Sequence, residues 1–317
     1  MQDDFSFSPL QNGLEFLLSS LEHLTAASST PPYAVRSSDH KWPQKRHLKY
    51  ALLHVCSSVE VLFKVRLRNE HWSLVYANVN KADDSAQDGE VESVAFADLM
   101  NRLVRICKVN LSEQDRKQLL ALRKRRNCLE HFGTVDSLLA VMASVTTTVG
   151  FIVDFAQSCF SKEALEEERC LLNAIRKQLG DCRAFIDHRW KAIRADVKLL
   201  ALVVECPACQ QHALGVVPGV ILCRFCHYQS SPPEAAREYL ASAGARHIAM
   251  SAPAGPDDMK KCAVCQYQTL VLDVTTSKMF CFSCGDQWLA RDVSHCLECA
   301  AILLTAPDGA SCCPNCD

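Results

Sequence analysis

The first thing this chain lacks is charge of one sign. Its 34 lysines and arginines face 36 aspartates and glutamates, a net charge of −2 with a sequence pI near 6.6. No global basic field draws it to nucleic acid, so such a partner must be drawn by a local patch. Also missing are a glycine-rich phosphate loop, a Ser/His/Asp order and a paired-carboxylate motif, which argues against an ATPase, an acyl hydrolase and a glycosidase. The opening Met1-Gln2-Asp3-Asp4 has no basic and apolar leader pattern. A long uncharged and apolar stretch, 137–153, contains Ser144 and Thr146-Thr147-Thr148, too short and polar for a membrane span. These absences lead to the expectation of a cytoplasmic protein with no membrane partner.

What is abundant is cysteine. Of 19 cysteines, 12 fall in six Cys-x-x-Cys pairs in the last third of the chain. Cys206 and Cys209 match Cys223 and Cys226 across 13 residues, Cys262 and Cys265 match Cys281 and Cys284 across 15, and Cys296 and Cys299 match Cys313 and Cys316 across 13. Two thiolates separated by two residues can grip one zinc ion, and two such grips close a tetrahedral site with no place for water. The expectation is therefore three structural zinc sites, each on two knuckles joined by a short hairpin, with metal binding supplying much of the folding free energy. Redox dithiols are the alternative, but such a motif occurs once in a βαβ context rather than six times. Cys312 adjoins Cys313; Cys313 keeps the spacing of the other knuckles and is preferred. The knuckle aromatics Phe225, Tyr228, Phe282 and Trp288 are expected to cover small cores rather than stack on bases, and docking of a partner protein suits the composition equally.

Residues 1–200 read as helical. Apolar positions at helical spacing mark 10–27 and 47–71, with shorter helices from 96 to 109 and from 112 onward. Ser112-Glu113-Gln114-Asp115 has a capping-box pattern, Thr134 is expected to cap the next helix to about 160, and 162–200 is expected to be helical with Gly180 as its weak point. Loops are expected at 28–43 and 78–92. The fold class expected is α+β and multidomain: a helical bundle at 1–200, zinc ribbons at 201–232, 259–290 and 291–317, and a helical spacer and linker at 233–258.

The second helical half carries the chemistry. Arg123, Lys124, Arg125 and Arg126 run directly into Asn127, with Glu130 and His131 beyond. Between 112 and 131 six cations outnumber three acids, a local +3 in a chain of −2, the kind of patch that holds RNA. On a helix Asn127 and His131 share a face, and the C-terminal pole of the helix dipole favours a protonated His131. An imidazole there could exchange protons with a ribose hydroxyl, while Arg126 could pair with phosphate in a fork. Glu60 and Lys64, one turn apart, read either as a surface ion pair or as part of a site. His47, His54 and His71 read as packing residues, and Cys56, Cys107, Cys128, Cys159, Cys170 and Cys182 mostly as buried small apolar groups.

These residues carry a family resemblance. The segment 41–160, about 120 residues, resembles the HEPN superfamily, whose hallmark is Arg, a polar residue, then His four to six residues later; here it stands as Arg126-Asn127-x-x-x-His131, preceded by a helix with Glu60 and Lys64. The resemblance implies a homodimer with two motifs lining one cleft. It implies cleavage of RNA without a catalytic metal, leaving a cyclic phosphate and a 5′-hydroxyl, as in toxin–antitoxin and phage-defence systems. Arg126, Asn127, His131 and Glu60 are then the catalytic set, Arg123, Lys124, Arg125 and Lys64 the RNA-binding cations, and a regulatory or antidote protein a possible partner. The competing expectations are a non-catalytic dimeric adaptor that binds nucleic acid or protein through its ribbons and, less favoured, a helical domain that is itself the substrate of a nucleotide-modifying partner.

Overall fold

A computed structural model of the chain describes residues 6–29, 42–82, 92–132, 136–247, 259–273, 276–295 and 302–304. It divides into two compact units, Met1–Arg189 and Trp190–Asp317. The chain is helix-rich in its N-terminal part and carries small antiparallel sheets with clustered cysteines in its C-terminal part.

The first unit is built on two long helices, α1 (Pro9–Ser28) and α2 (Trp42–Glu70). Ser8 starts α1, its Oγ accepting from the Gln11 amide with Pro9 at the first helical position, where the missing N–H costs nothing. Leu14, Leu17, Leu21 and Leu24 are fully buried or nearly so, the stripe expected from their spacing, and each stabilises the fold by about 1.5–3 kcal/mol. The helices meet closely at Gly13, where Ser58 donates a hydrogen bond of 2.8 Å to the Gly13 carbonyl. A Cβ at Gly13 would stand 2.5 Å from Leu62 Cδ2.

Three further helices cover α2: α3 (Phe96–Arg105), α4 (Glu113–His131) and α5 (Leu138–Cys159). Phe63 of α2 is the pivot of this core. It is wholly buried, stacked on Phe96 at 6.2 Å and packed on Phe155 at 4.9 Å. α5 is the one helix among the described residues that is long and apolar enough to cross a membrane. It buries Val145, Val149 and Ile152 in the bundle core, which accounts for its apolar composition.

The capping box at Ser112 is formed. Its Oγ accepts from the Asp115 amide at 3.1 Å, and the Asp115 carboxylate accepts from the Ser112 amide at 3.1 Å. Other expectations are corrected. α3 ends at Arg105, and Lys108 beyond it has φ 56°, a left-handed turn that no helix continues. α5 is capped by Ser137, whose Oγ accepts from Ala140; Thr134 lies outside the described residues, as do 30–41 and 83–91 of the two expected loops. The long helix expected after Lys162 is three helices, α6 (Lys162–Glu167), α7 (Arg169–Asp181) and α8 (Arg183–Lys198). Gly180 stays inside α7, and the chain turns instead at Glu168 (ψ 21°) and Cys182 (ψ 98°). Cys182 is fully buried, so tertiary packing, not glycine, sets that break.

In the second unit, β1 (Val203–Val204), β2 (Leu214–Val217), β3 (Val220–Cys223) and β4 (Gln229–Ser230) form one antiparallel sheet in sequential order. Helix α9 (Pro232–His247) follows, then a second sheet of the same order from β5 (Lys260–Lys261), β6 (Gln268–Asp273), β7 (Lys278–Cys281) and β8 (Gln287–Leu289). Tyr239 of α9 packs edge-on against Phe280 at 5.4 Å. A last hairpin pairs β9 (Val293–His295) with β10 (Ile302–Leu304).

Candidate functional site

The two cysteine quartets are the most closely defined sites. Cys206, Cys209, Cys223 and Cys226 place their sulfurs within 4.8 Å of one another, as do Cys262, Cys265, Cys281 and Cys284. The sulfur separations are 3.8 Å for Cys206–Cys226 and Cys209–Cys223, 3.7 Å for Cys262–Cys284 and 3.6 Å for Cys265–Cys281. A disulfide needs about 2.05 Å. A tetrahedral ion with metal–sulfur bonds of about 2.3 Å spaces its sulfurs about 3.8 Å apart. The quartets therefore fit a four-thiolate metal such as zinc, and a closed shell of this kind leaves no coordination position for catalysis.

Each knuckle is made by one backbone device. The residue after the second cysteine turns left-handed: φ is 60° at Gln210, 56° at His227, 63° at Gln266 and 80° at Gly285. That turn sends its amide back to the first cysteine's carbonyl at 2.8, 3.0, 3.0 and 2.9 Å respectively. No sequence expectation falls on these four positions. Only Gly285 advertises the conformation; at the others a non-glycine residue bears the left-handed strain, and the cysteine spacing is the sole signal. Around Cys281 the thiol is also engaged by Thr269 Oγ1 at 3.3 Å and by the Ser283 amide at 3.4 Å. Such contacts orient a ligand and tune its basicity. Phe225, Tyr228 and Phe282 are buried, so they fill ribbon cores as expected, and Trp288 packs on the cluster around Cys262 and Leu270. Cys296, Cys299, Cys312, Cys313 and Cys316 lie outside the described residues. β9 and β10 nonetheless bracket Cys296 and Cys299 as β5 and β6 bracket the Cys262 knuckle.

In the first unit, helical phase decides where each candidate goes, because successive residues of α4 are turned about 100° apart. Leu119, Leu122, Arg123 and Arg126 face α2 and share a crevice with Cys56, Glu60 and Phe96. Arg123 lays its guanidinium over Phe96 at 4.9 Å. Its Nη1 is buried and, among the described residues, has no hydrogen-bond partner. Arg126 is held by Glu130 at 3.0 Å and donates to Asn127 Oδ1 at 3.2 Å. Across the crevice Glu60 is bound by Lys64 at 2.8 Å, and Lys64 also donates to Ser93 Oγ at 3.1 Å. Burial pushes the Cys56 thiol up to about 12, against the pull of the nearby Arg126, so it is no nucleophile.

Lys124, Asn127 and His131 occupy a second, exposed face, with the His131 ring 6.1 Å from Phe132. Leu120 on that face is 46% exposed, and Phe132 and Leu139 reach 89% and 78%. Arg125 points a third way, toward Asp136 at 3.2 Å and Ser144 Oγ at 3.2 Å. The four consecutive cations are thus spread around the helix rather than gathered in one patch. Arg126 and Glu60 line one crevice; Asn127, which accepts from Arg126, stands with His131 on the exposed face. The chain matches no protein-family model, no curated protein and no solved structure.

His47 and His54 join His23 in a cluster between α1 and α2, with His23 Nδ1 3.0 Å from His47 Nδ1 and His54 Nδ1 2.9 Å from Ser19 Oγ. Burial first, then the neighbouring His54 and His47, lowers the His23 pKa. His71 instead caps the turn at Trp72–Val75, accepting from Ser73. Cys107 and Cys182 are buried and Cys56, Cys128 and Cys159 half-buried, but Cys170 is exposed, because α7 turns it away from its Ile175–Leu179 contact face.

Proposed function

We propose that this protein is a metal-independent endoribonuclease of HEPN type, with zinc in three structural ribbons. The observation that carries the reading is the contact between Arg126 and Asn127 at the mouth of a crevice walled by Glu60. That is the arrangement a phosphate-binding fork needs: a guanidinium steered by an amide, with a carboxylate behind it. The crevice, about 30 Å³, holds no more than a water or two. A phosphodiester is therefore met at the exposed side, where Asn127 and His131 stand.

In this mechanism an imidazole takes the proton of a ribose 2′-hydroxyl as its oxygen attacks phosphorus. The bond from phosphorus to the 5′-oxygen breaks, and that oxygen receives a proton. The products are a 2′,3′-cyclic phosphate and a 5′-hydroxyl. Arg126 pairs with the equatorial oxygens, whose charge grows toward the transition state. One His131 cannot both accept and donate at opposite sides of phosphorus, so a second copy of the chain is expected to supply the other. The exposed Leu120, Phe132 and Leu139 give a dimer apolar surface to bury beside the motif. Glu130 favours a second reading as a non-catalytic adaptor, because the pair it forms at 3.0 Å occupies the guanidinium that a phosphate needs.

Labelled RNA in magnesium-free buffer, with the zinc left in place, tests the proposal. Wild type is expected to cut and to leave cyclic phosphate ends, with Arg126→Ala and His131→Ala each slower by at least about 100-fold. Equal cutting by all three, or by none, would support the adaptor.

A further inference from the structure

The imidazole cluster between α1 and α2 belongs to neither the ribbons nor the α4 crevice. His47, Tyr50 and His54 follow one another at intervals of three and four residues, so they share one face of α2, and His23 enters from α1. The His23 ring lies 5.3 Å from His47, 5.5 Å from His54 and 5.3 Å from Tyr50, on which it stacks. His23 Nδ1 and His47 Nδ1 meet at 3.0 Å. Both rings are half-buried, and among the described residues no carboxylate forms an ion pair with either. His54 Nδ1 is engaged elsewhere, by Ser19 Oγ at 2.9 Å.

Two imidazole nitrogens brought together in this way can share one proton or hold one metal ion. Ligands 90° apart in a tetragonal shell, on bonds of about 2.1 Å, stand about 3.0 Å from each other, whereas a tetrahedral ion spaces them about 3.4 Å. The observed 3.0 Å matches the tetragonal case. A tetragonal shell of nitrogen and oxygen suits Ni²⁺ or Cu²⁺, while Mg²⁺ and Ca²⁺ take oxygen ligands. Among the described residues only the cysteine quartets bring three or more metal-binding side chains within 4.8 Å of one another. Water therefore completes the shell here, and the ion stays exchangeable. The geometry points to a binding site for a divalent late transition metal, Ni²⁺ or Cu²⁺, chelated by His23 and His47 and clasping α1 to α2. No thiolate and no residue of the Arg126 crevice takes part, so the site depends on neither the ribbons nor the nuclease reading.

Untagged, zinc-loaded full-length protein is titrated with NiCl₂ by calorimetry, and the zinc it retains is measured by elemental analysis after filtration. Saturable binding of one Ni²⁺ per chain is expected with no loss of zinc. Saturating Ni²⁺ is expected to raise the melting temperature, because the ion binds the folded state alone. His47→Gln is expected to weaken binding by at least about tenfold, since one imidazole cannot chelate, and to remove the rise in melting temperature. His71→Gln, at a residue that caps a turn elsewhere, is expected to change neither. His23→Gln is expected to behave as His47→Gln does, and it carries the test if His47→Gln does not fold. The proposal is overturned if no Ni²⁺ binds, if binding displaces zinc, if Mg²⁺ competes, if the melting temperature stays unchanged, or if either histidine variant binds like wild type.

Discussion

Arg126 and Glu130 form an ion pair at 3.0 Å, one turn apart on α4, with both side chains about one-third exposed. In its exposed setting the pair adds only about 0.3–0.5 kcal/mol to stability. Its larger consequence is competition, because any phosphate bound by Arg126 must displace the carboxylate. Glu130→Gln is accordingly expected to leave the melting temperature within about 2 °C and to tighten RNA binding severalfold, measured by filter binding in low salt. Weaker binding would show that Glu130 positions the guanidinium rather than blocks it.

Gly13 sits where α1 touches α2, and the two nearest atoms a methyl would meet belong to Leu62, which is fully buried. Leu62 has nowhere to go, so Gly13→Ala is expected to destabilise by about 1–3 kcal/mol through overpacking. The usual helix preference for alanine works the other way by about 1 kcal/mol. Urea unfolding that shows net stabilisation would mean that the helices separate easily.

The His23, His47 and His54 cluster gives stability a pH dependence. The His23 pKa is lowered from its ordinary 6.5 by burial and by the two neighbouring imidazoles, with Glu22 opposing and Arg46 adding a little; burial also lowers that of His54. Below 6.5 the unfolded chain binds protons that the folded chain refuses, so stability falls as the pH drops. Melting temperatures from pH 8 to pH 5 are expected to decline, and His23→Gln to decline less steeply. Parallel curves would remove the cluster as the cause.

Thiol reactivity is expected to separate the cysteines. Cys170 is exposed, while Cys56 is half-buried with its pKa near 12 and Cys182 is buried with its pKa raised, in both cases chiefly by burial. Brief treatment of the zinc-loaded protein with iodoacetamide at pH 8 is expected to label Cys170 first and leave Cys56 and Cys182 unmodified by peptide mass. Early labelling of Cys56 would show that α4 opens from α2.

Native mass spectrometry counts the metals. Three zinc ions per chain are expected, falling to two in Cys223→Ser, in Cys281→Ser and in Cys296→Ser separately. A count of two in wild type, unchanged by Cys296→Ser, would limit the array to the two quartets described above.

The helical positions of α1 and α2 and the metal quartets were legible because each rests on a local period: a buried stripe every three to four residues, or two thiols two residues apart. Ser112 was legible for the same reason, its cap being four residues long. Helix ends fixed by distant contacts were not. Cys182 ends α7 because it is buried, and Gly180, which looked like the weak point, stays helical. The α4 cations show a further limit. Adjacent in sequence, Arg123 to Arg126 read as one patch, yet a helix must send neighbours in different directions. Only coordinates reveal that Arg125 and Lys49 face one cavity while Arg126 and Glu60 share another.

That three-way division of α4 makes the helix sensitive to its own phase. One residue inserted between Ser112 and Leu119 would rotate everything downstream by about 100°, swinging Arg126 out of its crevice and burying other side chains in its place. Length in that first turn and a half is therefore as binding a constraint as identity, and change there is expected by substitution, never by insertion or deletion.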